Sequence, residues 1–171
     1  MKICLNGNLF YMEHLILIAE EGERDLIAKY LPNTDWPVLV TGVGGVNIVR
    51  ALRDVPKDTH VLNIGYAGSA NFNIGTVVEV TEVFTNHPNC RFAEPTLKLN
   101  PVDDGLFPIA DRKAVCYTNS DFVLASDYKD CVFDMELAYI AAMGFAKTSA
   151  LKLVSDNLSL HAYHELTNGV E

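Results

Sequence analysis

The sequence predicts an α/β fold: a single three-layer domain over residues 1–171, with a mixed, largely parallel central sheet and helices on both faces. Three observations predict it. Residues 15–19 (LILIA), 37–41 (PVLVT) and 59–64 (THVLNI) are short, continuously apolar runs, as expected of strands buried on both faces. Segments with apolar residues at helical spacing alternate with them, Leu26, Ile27 and Tyr30 in the first case. Turns of small residues then stand where strands should end, at Gly42-Val43-Gly44-Gly45 and at Gly65-Tyr66-Ala67-Gly68-Ser69.

In order along the chain, residues 2–11 hold two β-prone pieces around Asn6-Gly7-Asn8, a hairpin signal that predicts an N-terminal ribbon over 1–11. Glu20, Glu21 and Glu23 follow the first buried strand, where a helix macrodipole favours acidic residues. The glycine turn at 42–45 leads into a helix over 46–52. It lacks both the full dinucleotide-binding spacing and the acidic residue such a site needs further on. Residues 74–80 read as a turn into a longer strand running towards Phe84. The stretch 86–112, rich in Pro, Asn and Asp, reads as a long excursion or lid. A strand over 113–117 precedes Phe122.

Residues 132–156 read as strand, helix, strand, which predicts a right-handed crossover joining a parallel pair. Asp134 stands where a helix N-cap belongs, and Leu137, Ala138, Ile140, Ala141 and Ala142 form the helix, with Gly144 near its end. Ala150-Leu151-Lys152-Leu153-Val154 is the second strand and runs into Ser155-Asp156-Asn157. Glu136 and Asp156 therefore fall at carboxyl ends of strands, where open α/β sheets build their sites. A short helix is expected around 161–166.

The chain has 171 residues, 22 acidic and 13 basic, for a formal net charge of -9. That balance argues against nucleic-acid partners and suits a neutral or cationic small molecule. No uninterrupted apolar run is long enough to span a membrane, and the N-terminus carries no signal-peptide pattern. The four cysteines (Cys4, Cys90, Cys116, Cys131) are spread without a C-x-x-C pair. Reduced thiols in a cytoplasmic protein are expected. His161 and His164 lack ligand-spaced companions, so no metal and no cofactor is expected.

Taken together, NIGYAGSANFNIGTVVEV, FDMELAYIAAM and LKLVSDN, with the 41–45 turn, resemble the purine nucleoside phosphorylase and nucleosidase superfamily, nearest to methylthioadenosine/adenosylhomocysteine nucleosidases. The resemblance covers about two-thirds of the chain. It implies hydrolysis of the N-glycosidic bond of a purine nucleoside or a 5'-thio-nucleoside, releasing free base. It makes Asp156 the acid that protonates N7 of the base, and Glu136 the ribose-hydroxyl ligand with Met135 against the sugar. Phe122 would stack on the base, and Ala67, Gly68 and Tyr66 would line the pocket. Glu23 would activate the attacking water, with Glu20 or Glu21 fitting after a slip of a few residues. One carboxylic acid for the leaving group and one carboxylate for water is the expected division of labour in glycoside cleavage.

Tyr66 departs from the pattern, standing where the family has a small hydroxyl residue. The reduced terminal helix leaves apolar surface that a homodimer would cover. Two alternatives stay open: a phosphate-dependent phosphorylase, and a nucleoside-binding protein of the same fold that has lost turnover.

Overall fold

The computed structural model describes residues 12–85, 96–102 and 110–168, together with the backbone of 3–5 and 8–10. The fold is a mixed α/β domain whose principal sheet has eight strands. The N-terminal ribbon forms a separate two-stranded sheet. Strand β1 (Ile3–Leu5) pairs antiparallel with β2 (Asn8–Phe10), Leu5 opposite Asn8.

Strand β3 (His14–Ile18) is the centre of the N-terminal half. Leu15 to Ile18 are buried, their side chains divided between two apolar clusters. Ile16 and Ile18 meet Leu26 and Ile27 of α1 (Arg24–Tyr30), while Leu15 and Leu17 meet Ile48 and Leu52 of α2 (Gly45–Leu52). Each such side chain contributes about 1.5–3 kcal/mol on burial. A single 3-10 turn, Glu21–Glu23, joins β3 to α1. Strand β4 (Val38–Val40) pairs parallel with the outer edge of β3.

Strand β5 (His60–Gly68) runs parallel to β3 on one edge and to β10 (Lys147–Asp156) on the other. Here the structure corrects the sequence reading. Residues 65–68 are not a turn; they continue the strand, paired with β10 from His60 opposite Lys147 to Ala67 opposite Val154 and, after a one-residue shift, Gly68 opposite Asp156. Nine residues of parallel pairing override the local preference of two glycines for a turn.

Beyond β5 the sheet closes on itself. Strand β10 pairs antiparallel with β6 (Val77–Thr85), β6 parallel with β8 (Arg112–Thr118), and β8 parallel with β9 (Cys131–Asp134). The β9 strand returns to β5 through the antiparallel pair Gly68 and Phe133. A two-residue strand, β7 (Leu97–Lys98), flanks β6. The expected parallel pairing of β9 with β10 is therefore absent: β10 lies between β5 and β6. Helix α3 (Leu137–Ala142) carries the chain across the ring instead, placing Leu137 and Ala138 among Val78, Val80, Cys116, Ala150 and Val154. Of the lid expected over 86–112, residues 86–95 and 103–109 lie outside the described residues. Helix α4 (Leu160–Asn168) ends the described chain.

One consequence of this topology places the site. The edge of β5 is shared by two partners, β3 opposite His60 to Asn63 and β9 opposite Gly68. Between them, over residues 64–67, that edge has no strand partner among the described residues. The turn after β3 fills the gap.

Candidate active site

Glu23, at the end of that turn, is buried and points at the unpaired edge of β5. Its Oε1 accepts the Tyr66 N–H at 3.0 Å, and its Oε2 accepts those of Ala19 at 2.6 Å and Glu20 at 3.3 Å. Burial pushes its carboxyl above the ordinary glutamate range, while Lys152 and the three amides pull the other way. The neighbouring glutamates differ. Glu21 pairs with Arg24 in solvent, and Glu20 is exposed. Gly65 makes room for Glu23: a Cβ there would lie 2.7 Å from Glu23 Oε1.

Asp156 stands at the end of β10, 1% exposed. Its Oδ2 accepts the Ser155 hydroxyl at 2.7 Å, and its Oδ1 accepts the Ser159 N–H at 3.2 Å. The turn-capping contact and the position at the strand end are thus both present. Gly68 is opposite it, and a Cβ on Gly68 would sit 3.0 Å from Asp156 Oδ1. The two glycines of β5 therefore face the two carboxylates, which is why a strand can run through GYAG and remain beside the site.

Glu136 precedes α3. Its Oε1 accepts the Gly44 N–H at 2.9 Å, a donor presented because Gly44 takes φ +82, open to glycine at little cost. Burial pushes its carboxyl up to about 7. The charge of Asp134 adds to this, and Lys152 and the Gly44 amide oppose it. Asp134 caps the helix start as expected in effect, its Oδ2 accepting the Leu137 N–H at 3.0 Å, although the residue at the helix boundary is Glu136.

These groups surround a cavity of about 240 Å³, close to the lower end of the roughly 300–1,000 Å³ usual for small-molecule sites. All eight residues singled out from the sequence line it: Glu23 and Asp156, Glu136 and Met135, Phe122, and Tyr66, Ala67 and Gly68. Among the described residues, neither a lysine nor an arginine lines it. A second recess of about 30 Å³ lies beyond Phe122 and shares Gly68, Met135 and Asp156 with it.

Comparison with known proteins gives the frame for this geometry. No family model matches the sequence, and no curated protein does. Solved structures do. The nucleosidase of Chlamydia trachomatis bound to MTA superposes with a TM-score of 0.71 over 93% of this chain and 89% of that one, at 18% identity. The S-adenosylhomocysteine nucleosidase of Streptococcus pyogenes, in complex with 5-methylthiotubericidin, gives 0.70 over 92% and 90%, at 16%. The 5'-methylthioadenosine/S-adenosylhomocysteine nucleosidase of Neisseria meningitidis, in complex with methylthio-immucillin-A, gives 0.68 over 91% and 92%, at 16%. The chain has the nucleosidase fold.

Two features of this nucleosidase-fold cavity escape the sequence reading. The first is Tyr163, projected by α4 over the cavity. Its ring meets Phe122 edge-on at 5.6 Å and Tyr66 at 6.4 Å. Burial, then Glu20, Glu23 and Glu136, push its hydroxyl up to about 12. Its signal was faint, one aromatic residue in a short polar helix. Tyr66 does not fill the cavity. It packs against the α1-side core and forms part of the rim. The second feature is Lys152, 2% exposed, whose Nζ lies 2.7 Å from Oδ2 of Asp134, a residue of the cavity wall. A lysine inside an apolar strand was its signal, because a buried ammonium requires a partner.

Proposed function

We propose that the protein hydrolyses the N-glycosidic bond of a purine nucleoside, a 5'-thio-substituted adenosine being the preferred class, and releases free base. The observation that carries this reading is the convergence of Asp156, Glu23 and Glu136 on one cavity. Asp156 delivers a proton to N7 as the bond from C1' to N9 breaks, so that the bonding pair leaves with a neutral base. Glu136 accepts hydrogen bonds from the ribose hydroxyls as the sugar becomes oxocarbenium-like. A water attacks C1', and Glu23 takes its proton, a task for which a carboxyl raised by burial is better matched near neutral pH. Met135 lies against the sugar, Phe122 stacks on the base, and Tyr66, Ala67 and Gly68 shape the wall.

The structural neighbours named above support the substrate class, since their bound ligands are methylthio-substituted. Phosphorolysis is the less favoured reading, because a phosphate acceptor needs cationic partners in the site and none of the described residues that line it is a lysine or arginine. The packing of α1 and α2 on opposite sides of β3 supports a three-layer arrangement for the single domain. Exposed Val46 and Val49 on α2, continuous with Val43 at the cavity rim, support a homodimer. No helix among the described residues is long and apolar enough to cross a membrane. Cys116 and Cys131 are both unpaired and buried, which supports a cytoplasmic setting.

The deciding experiment incubates a panel of purine nucleosides and their 5'-thio derivatives with the protein, with and without phosphate, and measures free base. Release independent of phosphate is expected. Release that requires phosphate makes it a phosphorylase, and tight nucleoside binding with no release makes it a binding protein.

A further inference from the structure

Asp134, in the cavity wall, belongs to a group of buried polar side chains to which the proposed chemistry assigns no step. The Lys152 ammonium, from β10, meets Asp134 Oδ2 of β9 at 2.7 Å. Asp134 Oδ1 accepts the Thr118 hydroxyl of β8 at 2.6 Å, and the Thr118 oxygen in turn accepts the Ala138 N–H at 2.9 Å. Asp134 Oδ2 also accepts the Leu137 N–H at 3.0 Å. Three strands are thus tied to the first two helical amides of α3, and Glu136 sits between the tied residues. The residue two before it and the two after it are held by this group, while its own Oε1 is held by Gly44 N–H.

A buried ion pair is weak grounds for stability, since an apolar pair of similar size often does as well. Retaining one beside a carboxylate cluster calls for another role. We propose that the Lys152–Asp134–Thr118 network is a positioning unit for Glu136, fixing its direction and keeping its carboxyl available as a hydrogen-bond acceptor for the ribose. The inference rests on the nucleosidase reading for what Glu136 does, but its electrostatic content stands apart from turnover.

The sign follows from the charges that face Glu136. Asp134 on β9 and Glu23 after β3 oppose its ionisation, and Lys152 on β10 together with the Gly44 amide favours it. Glu136 also acts on the Tyr163 hydroxyl of α4, and the Cys116 thiol of β8 faces Asp134 and Lys152. Removing Lys152 leaves Asp134 unopposed and drives Glu136 towards its protonated form, a donor where an acceptor is needed. Removing the charge of Asp134 does the reverse.

The test is a carbon-13 titration of the Glu136 side-chain carboxyl, assigned by its loss in Glu136→Gln. The parent midpoint is expected at about 7. Lys152→Met is expected to raise it by about one pH unit or more and Asp134→Asn to lower it by a similar amount, with Lys152→Arg close to the parent. An unmoved midpoint in either folded single variant overturns the proposal. A third variant, Asp134→Leu with Lys152→Met, removes both members of the buried ion pair together and keeps the test open where the single variants do not fold. It is expected to fold and to bind nucleoside at least tenfold more weakly than the parent. Parental binding by that folded variant reduces the network to a structural pair and also overturns the proposal. Should the parent release no base from any nucleoside, the nucleosidase reading fails while the carboxyl titration still reports on the network.

Discussion

Replacing Gly65 by alanine tests the placement of Glu23 more sharply than removing Glu23 itself, because it moves the carboxylate without deleting it. The added Cβ would stand 2.7 Å from Glu23 Oε1, against an ordinary contact of 3.4 Å, so the carboxylate must retreat by about 0.7 Å. The adjacent Tyr66 N–H, now 3.0 Å from the same oxygen, then falls outside hydrogen-bonding range. A displacement approaching 1 Å in a reacting group costs on the order of 10²-fold in rate, so kcat for base release should fall by about that factor. KM should stay near the parental value, since Glu136, Met135 and Phe122 are untouched. Stability should change little. Alanine in a strand gains roughly 0.5–1 kcal/mol over glycine, set against about 1.5–3 kcal/mol for one bond to a charged acceptor, a net shift of a few degrees in Tm. Steady-state release of free base over a range of nucleoside concentrations up to saturation, with a thermal melt alongside, measures all three quantities. A kcat within about threefold of the parent would refute the assignment of Glu23 as the base.

Asp156→Asn keeps an acceptor for the Ser159 N–H and removes the proton to be donated. Base release should drop by about 10²–10⁴-fold with an unchanged melt, and parental release would sink the acid assignment. The Glu136 carboxyl is raised from 4.5 to about 7 in the fold. Its contribution to stability is therefore full below pH about 4.5 and lost as pH rises through about 7. Glu136→Gln retains that contribution at every pH. In urea unfolding the variant should match the parent near pH 4.5 and exceed it at pH 8 by up to about 3 kcal/mol, while losing nucleoside affinity; a parent that is the more stable at pH 8 would contradict the burial argument. Tyr163→Ala removes two edge-on ring contacts over the cavity, each worth about 0.5–1.5 kcal/mol. KM should rise about five- to tenfold with kcat held, and an unaltered KM would show that α4 takes no part in binding.

The sequence carried the site further than it carried the sheet, and the reason is locality. LILI and HVLNI declare themselves as buried strands because burial is written in each run, whereas VLV, equally apolar and expected to be buried on both faces, forms the half-buried edge strand β4 because, among the described residues, only β3 pairs with it. Which strand lies beside which is set by contacts between distant residues. No local pattern says that β10 enters between β5 and β6, or that β9 turns back to meet Gly68. The misread turn at GYAG has a more instructive cause. Glycine there does not bend the chain; Gly65 and Gly68 leave the volume that the Glu23 and Asp156 carboxylates occupy. A glycine's meaning thus depends on what approaches it, and that approach comes from residues 42 and 88 positions away. Lys152 was legible in principle, as a charge in a buried run, yet its partner Asp134 follows from the ring closure alone.

Four carboxylates sit buried around this cavity, Glu23, Asp134, Glu136 and Asp156, with Lys152 the ammonium among them. Such a concentration is unfavourable unless each charge is hydrogen-bonded. Each accepts at least one backbone N–H: Glu23 from the edge of β5, Asp134 from the first turn of α3, Glu136 from the turn before α2, and Asp156 from the turn after β10. These are the amides that the fold leaves without strand or helix partners, at helix starts, at a strand end and along the gap between β3 and β9. The acidic side chains therefore complete the backbone hydrogen bonding at the four places where regular structure stops, and the places where it stops surround one cavity. Backbone amides thus hold the carboxylates in place where, among the described residues, no lysine or arginine lines the cavity, and that is the setting the proposed hydrolysis of a neutral nucleoside calls for.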